Sequence, residues 1–192
     1  MDATLLAWGR AKAARGRTLP PLWLFTDQVR LPDPRAAVAR LPRGMAGVIF
    51  RHDNDPGRAA LARDLARICR VRRLILVVAG DWRLAANLRA GTHLRGGRRS
   101  GPVRPARFVT SSAHGMADLV RARRAGARLV FLSPAFPTAS HPGAPSLGCS
   151  RWSALARRAG ISVAVLGGVD GLSIRRLPPH LCAGAGAIGA LA

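Results

Sequence analysis

The sequence predicts an α/β protein: a (β/α)8 barrel in one compact domain, with a short or missing last helix. Three observations predict it. Short runs rich in Val, Ile and Leu alternate with helix-like segments along the chain, the pattern of a parallel sheet with crossover helices. Seven or eight such units follow one another without a domain linker. Polar residues stand directly after nearly every apolar run, as they do at the C-terminal face of a barrel. A doubly wound open sheet shares the alternation; the number of units and their polar ends favour closure.

Residues 1–20 read as an N-terminal helical extension, with a helix over 3–14 ended by Gly16, Pro20 and Pro21. The barrel is expected over 21–192. Leu22–Thr26 is the first strand and ends at Asp27; a helix over 34–41 follows, with Asp33 as its cap. Ala46–Phe50 is the second strand, and Arg51-His52-Asp53-Asn54-Asp55 the polar loop after it. Pro56 suits the first turn of a helix that runs through Cys69 with Asp55 as cap. Leu74–Val78 is the third strand, closed by Gly80-Asp81 before a helix over 82–89. Thr92–Leu94 is a very short fourth strand, and 95–106 a basic loop rich in Gly, Arg and Pro. Arg107–Thr110, Ala127–Leu132 and Ile161–Leu166 are strands five to seven, with helices to about 124 and over about 150–159. Ala185–Ala192 is a small-residue run in place of a full eighth unit.

The chain has 192 residues and is 48% hydrophobic, so it can bury a sizeable core. It carries 31 basic residues against 9 acidic ones, a formal net charge of +22. Lys12 is the single lysine, every acid is Asp, and Glu and Tyr are absent. So narrow a choice within similar residue pairs points to a biased coding background. The field still attracts anions. Nucleic acid is not the expected partner, because the four tryptophans are scattered instead of lying along an arginine stripe. The cysteines, at 69, 149 and 182, have no metal-like spacing and are odd in number, which fits a reducing cytoplasm. No apolar run approaches the roughly 20 residues of a membrane span. The N-terminus places apolar residues before basic ones, the reverse of a signal peptide.

Gathering the residues after the strands gives the candidate site: Thr26, Asp27, Arg51, His52, Asp53, Asp81, His93, Ser112, His114, residues 133–141 and Gly167-Gly168. Adjacent glycines after a strand can aim backbone N–H groups at a phosphate or simply make a tight turn. Gly184 to Gly189, with Ile188 and Gly189 at its end, is placed to add amides. Arg51 matches phosphate oxygens bidentately. Asp81 is suited to Mg2+ or a substrate hydroxyl, and equally to capping the next helix. Ser112 is a hydrogen-bond donor for a ring substituent or phosphate; His114 either works in the site or holds its helix. Prolines stiffen 133–143, which presents Thr138, Ser140 and His141 close together. No Asp completes a hydrolase triad with Ser112 and His114.

In order, Leu24-Phe25-Thr26-Asp27, Arg51, Gly80-Asp81, Gly91-Thr92-His93-Leu94, Ser112-Ala113-His114, Ser133 to His141 and Leu166-Gly167-Gly168-Val169 resemble the motifs of the thiamine phosphate synthase/TenI family. The resemblance spans about residues 21–191. It implies a (β/α)8 barrel that couples hydroxymethylpyrimidine pyrophosphate to thiazole phosphate with Mg2+ and releases pyrophosphate. On this resemblance Arg51, Thr138 and Ser140 contact pyrophosphate, Asp81 contacts Mg2+, and Ser112 lies between pyrimidine and pyrophosphate. Gly168 and the last loop, with Gly167, Ile188 and Gly189, hold the thiazole phosphate. Arg51, Ser112, His114 and His141 are the catalytic candidates. A monomer or homodimer is expected.

The departures from the family pattern fall on one half of this site. Ile49 stands for a Gln, His52-Asp53 for Glu-Lys, Gly80 for an Asn and His141 for a Lys. Where the family has a second metal-binding Asp, the chain reads Arg95-Gly96-Gly97-Arg98. The alternative function is a TenI-like thiazole-handling enzyme, or a non-catalytic binder or regulator in thiamine metabolism. The histidine of TenI tautomerases is Pro134 here, which leaves proton transfer to His114 or His141.

Overall fold

The computed structural model describes residues 1–16, 19–99, 101, 108–138, 143 and 145–192. After helix α1 (Ala3–Ala13), eight parallel strands close into a barrel in chain order, each hydrogen-bonded to the next and the last to the first. The strands are β1 (Leu22–Phe25), β2 (Ala46–Phe50), β3 (Ile75–Ala79), β4 (Gly91–Leu94), β5 (Val109–Ala113), β6 (Leu129–Leu132), β7 (Val163–Leu166) and β8 (Gly184–Ala187). The helices between them are α2 (Arg35–Arg40), α3 (Arg58–Arg72), α4 (Trp82–Asn87), α5 (Met116–Arg124) and α6 (Gly148–Arg158). The barrel form of the sequence expectation is therefore correct. No helix of the described residues is long and apolar enough to cross a membrane.

The strands read as unbroken apolar runs because both faces are buried. Alternate residues serve two cores. Leu22, Leu24, Val48, Phe50, Val130 and Leu132 pack outward against the helices. Trp23, Phe25, Ile49, Val77, Leu129 and Phe131 fill the barrel. Trp23 stacks on Phe108 at 5.8 Å, and Phe131 presents its edge to Trp23 at 5.6 Å and to Phe25 at 4.8 Å. Gly47 makes the Trp23 position possible, since a Cβ there would run into the indole ring.

The helices cover the outer core with one face each. In α3 that face is Ala62, Leu65 and Cys69, spaced by three and four residues. The helix ends on Arg73 in the left-handed region, φ 55°. In α6, Trp152 is fully buried and its Nε1–H donates to the Leu132 carbonyl at 3.2 Å. Helix α1 is fastened to the barrel wall. Asp2 caps it through the N–H groups of Thr4 and Leu5, and also accepts from Gly171 N at 2.7 Å. Lys12 Nζ donates to the Pro179 carbonyl at 2.5 Å, and Gly9 lets the helix approach the Leu22 side chain closely.

Some boundaries differ from the sequence expectation. The fifth strand runs to Ala113, so Ser111 and Ser112 are strand residues, not loop residues. Their hydroxyls compensate for the polarity: both accept from the turn after β4. Asp33 and Asp55 do not act as the caps of α2 and α3. Pro34 and Gly57 hold those positions, and each Asp accepts an N–H two residues on, closing a turn just before its helix. After β8 the chain makes only a 3-10 turn, Gly189–Leu191, in keeping with the expected short or missing last helix.

Candidate active site at the barrel mouth

The parallel register brings the C-terminal ends of all eight strands to one face, and the candidates among the described residues that follow β2, β3, β5, β6, β7 and β8 stand at those ends.

Arg51 is the best-anchored cation of this face. Its N–H donates to Thr26 Oγ1 at 3.0 Å, its Nε to the Thr26 carbonyl at 3.1 Å, and Nη2 reaches Asp27 at 3.4 Å. Its guanidinium lies over the Phe25 ring, 5.3 Å from the centroid. Burial pulls the Arg51 pKa down, against the opposing pull of Asp27 and Asp53. An arginine stays charged through such a shift.

The anchor is itself braced. Thr26 Oγ1 also bonds His52 Nδ1 at 3.0 Å, and His52 Nε2 meets the Pro32 carbonyl at 3.2 Å. A carbonyl only accepts, so Nε2–H donates to Pro32 and the Thr26 hydroxyl donates to Nδ1. His52 is fully buried and stacked on Phe50 at 5.2 Å. It holds Thr26 and does not face the mouth, contrary to its place among the polar loop candidates.

His93 lies inside the barrel, 3% exposed, edge-on to Phe25 at 5.8 Å and bonded to Thr110 Oγ1 at 2.8 Å. Burial, with the charges of Arg51 and Arg95 beside it, pushes its pKa down to about 3. It is therefore a neutral floor beneath the cations.

Asp81 caps α4. Its Oδ1 accepts from Leu84 N at 2.9 Å, so the capping alternative raised by the sequence is realised. Among the described residues, no three His, Cys, Asp or Glu side chains are grouped as metal ligands. Next to Asp81, the Arg95 guanidinium passes beside Gly80, where a Cβ would lie 3.8 Å from Nη2. One half-engaged carboxylate beside an arginine does not fit a resident divalent cation, which needs several oxygen ligands.

Ser112 is half-buried, and its Oγ accepts from Gly96 N at 3.2 Å. His114 is exposed. Its Nδ1–H donates to the Ser133 carbonyl at 2.8 Å and its N–H to Asp118 at 2.8 Å, which ties the end of β5 to the end of β6. Thr138 is half-buried in the loop after β6. Ser140 and His141 lie outside the described residues.

Gly167 and Gly168 have φ of +90° and +63°. A Cβ on Gly167 would sit 2.9 Å from Pro134 Cα, and one on Gly168 2.8 Å from Phe136 Cβ. The tight-turn reading is thus real: Ala135 N and Phe136 N donate to the carbonyls of Leu166 and Gly167 at 2.9 and 3.0 Å. It does not exclude the other reading. Among the described residues the N–H groups of Gly167, Gly168 and Gly189 have no backbone acceptor. Ile188 is half-buried and Gly189 exposed at the end of β8. A Cβ on Gly189 would lie 3.8 Å from Arg30 Nη2.

Sequence reasoning missed Arg30, Arg58 and Arg95. Among thirty arginines no local pattern marks them; only the closed barrel brings them to the rim.

The chain matches the family described as Thiamine monophosphate synthase over residues 24–191. It belongs to the thiamine phosphate synthase/TenI family. It is 32% identical over 142 residues to the thiamine-phosphate synthase of Thiobacillus denitrificans, covering 68% of this chain and 66% of that protein. It is 29% identical over 158 residues to the thiamine biosynthesis bifunctional protein ThiED of Geobacter sulfurreducens, covering 77% of this chain and 32% of that protein. The chain thus spans about a third of the second relative and just under two thirds of the first. A solved thiamine phosphate pyrophosphorylase from Pyrococcus furiosus superposes with a TM-score of 0.74 at 20% identity, over 88% of this chain and 85% of that one. This last likeness concerns the fold.

Proposed function

We propose that this thiamine phosphate synthase/TenI family member couples hydroxymethylpyrimidine pyrophosphate to thiazole phosphate. The observation that carries the reading is the placement of Arg51: a guanidinium fixed by Thr26 and Asp27 over an aromatic floor, at the same barrel face as the Gly167-Gly168 loop. Two phosphorylated substrates need two anion-binding poles, and this mouth offers two of different chemistry. The amides of Gly167, Gly168 and Gly189 suit a phosphate monoester, with Ile188 against the ring. Arg51 suits the pyrophosphate, joined by Thr138 and, from the adjoining segment, Ser140 and His141.

In the reaction the bond between the pyrimidine methylene carbon and the pyrophosphate oxygen breaks, and the electron pair leaves with pyrophosphate. The thiazole nitrogen then donates its pair to the resulting carbocation, giving thiamine phosphate. No proton transfer is required for bond formation. The residues' work is to stabilise the charge that develops on the leaving group and to align the two rings. In this reading Arg51 does the first, and Ser112 and His114, at the end of β5, do the second. Mg2+ chemistry is a family expectation, and the donor set around Asp81 is too poor for any step to be routed through a resident ion.

The test is direct. Purified protein incubated with both substrates, with and without Mg2+, should form thiamine phosphate and pyrophosphate. No product at high protein concentration, with both ligands shown to bind, would overturn the transferase reading and leave a binder.

A further inference from the structure

Arg95 stands in the segment that departs from the family pattern, and its side chain is paired at the mouth. It follows β4 directly and begins a tight turn closed by Arg98 N donating to the Arg95 carbonyl at 3.0 Å. The turn is fastened from two sides. Gly96 N and Gly97 N donate to the hydroxyls of Ser112 and Ser111 at 3.2 and 2.9 Å, and Arg121 Nε donates to the Gly96 carbonyl at 2.9 Å. A Cβ on Gly97 would lie 2.6 Å from Arg121 Cβ, so the turn is wedged against α5.

From that base the side chain crosses the rim past Gly80 and pairs with Asp53, the residue two beyond Arg51. Asp53 is held on its other side by Arg58 at 2.7 Å, and Arg58 is fixed in turn by the Ala79 carbonyl at 2.8 Å. Three guanidinium groups, on Arg51, Arg58 and Arg95, thus face two carboxylates, Asp27 and Asp53. The cluster retains positive charge and lies over the neutral His93. Arg95 remains more than half exposed, at 59%, and so can exchange a carboxylate for a ligand oxygen. The neighbouring Asp81 is engaged as a helix cap.

We propose that Arg95, oriented by Asp53, is a diphosphate-binding residue, and that with Arg51 it supplies the counter-charge that lets this mouth hold a diphosphate without a divalent cation. The proposal rests on the reading that the mouth takes a diphosphate substrate. A fixed pair of guanidinium groups neutralises charge as a bound ion does, and adds directed hydrogen bonds.

The experiment is calorimetric titration of inorganic pyrophosphate into the protein at constant ionic strength, in EDTA and again in excess Mg2+. Saturable binding of comparable affinity in both is expected. Arg95→Ala should weaken binding in EDTA by roughly ten- to a hundredfold, the span of charge-assisted hydrogen bonds. Arg95→Lys should recover part of it. Arg67→Ala, on the outward face of α3, should leave it unchanged. Binding seen only with Mg2+ would overturn the inference and leave the proposed function standing. An unchanged Arg95→Ala affinity, or equal loss in Arg67→Ala, would overturn it as well, the latter by showing a diffuse charge effect. No binding in either condition would overturn both the inference and the reading beneath it.

Discussion

Gly168 lies directly against Pro137: a Cβ added there would collide with the Pro137 carbonyl oxygen. The glycine loop after β7 and the proline-stiffened loop after β6 are therefore one packed unit, and each sets the shape of the other. With φ at +63°, Gly168→Ala meets both a conformational and a steric penalty. A stability loss of about 2 kcal/mol is expected in chemical denaturation, together with loss of phosphate binding. Gly47→Ala, which crowds Trp23 at a distance from the mouth, should cost a similar amount, about 1–3 kcal/mol, while leaving phosphate affinity nearly intact. Equal effects of the two variants on affinity would show that the Gly168 result reports only stability.

Arg51→Lys tests geometry against charge. Lysine keeps the cation but cannot bond the Thr26 carbonyl and Asp27 from one planar group. Turnover is expected to fall roughly tenfold or more, with the melting temperature little changed. A variant with wild-type turnover would mean that the charge alone suffices.

His93 predicts an acid-sensitive fold. Its folded pKa, about 3, lies below the ordinary value of 6.5. Below pH 6.5 the unfolded chain therefore binds a proton that the folded chain refuses. Stability should fall as the pH drops from about 6.5 towards 3, and level off once the folded form also protonates. Asp2, Asp27, Asp33 and Asp170, all lowered from 3.8, add their own losses only at the acid end of that range. Urea melts of His93→Asn between pH 7 and pH 4 should show a flatter profile than the wild type. An identical profile would assign the acid limb elsewhere.

Asp81 separates a cap from a ligand. Asparagine caps a helix as well as aspartate does, whereas alanine costs about 1 kcal/mol. Asp81→Asn should hold its stability and its diphosphate affinity in EDTA; Asp81→Ala should lose stability by thermal melting. Collapse of activity in a fully stable Asp81→Asn variant would mean that the carboxylate charge itself acts in the reaction.

The order of the strands, the polar ends that form the mouth and the short final unit are all legible in this sequence. Apolar runs buried on both faces leave a plain signal, and parallel strands put their C-terminal ends together. Arg51 and the Gly167-Gly168 loop were legible for the same reason: each follows a strand. Ser112 was misplaced by a strand boundary, because serines in a barrel strand carry no apolar signal. His52 also follows a strand, but that position does not say which way a side chain turns, and its ring is buried against Phe50.

What the sequence by itself determined is the topology, the family and the list of residues that can reach the mouth. Which of them act together was decided only in three dimensions. Arg95 meets Asp53 across 42 positions of chain, Thr26 braces Arg51 across 25, and Asp81 turns one oxygen to its own helix. Such pairings depend on barrel closure and on the competition of each polar group for the nearest partner, and no local pattern of residues encodes them.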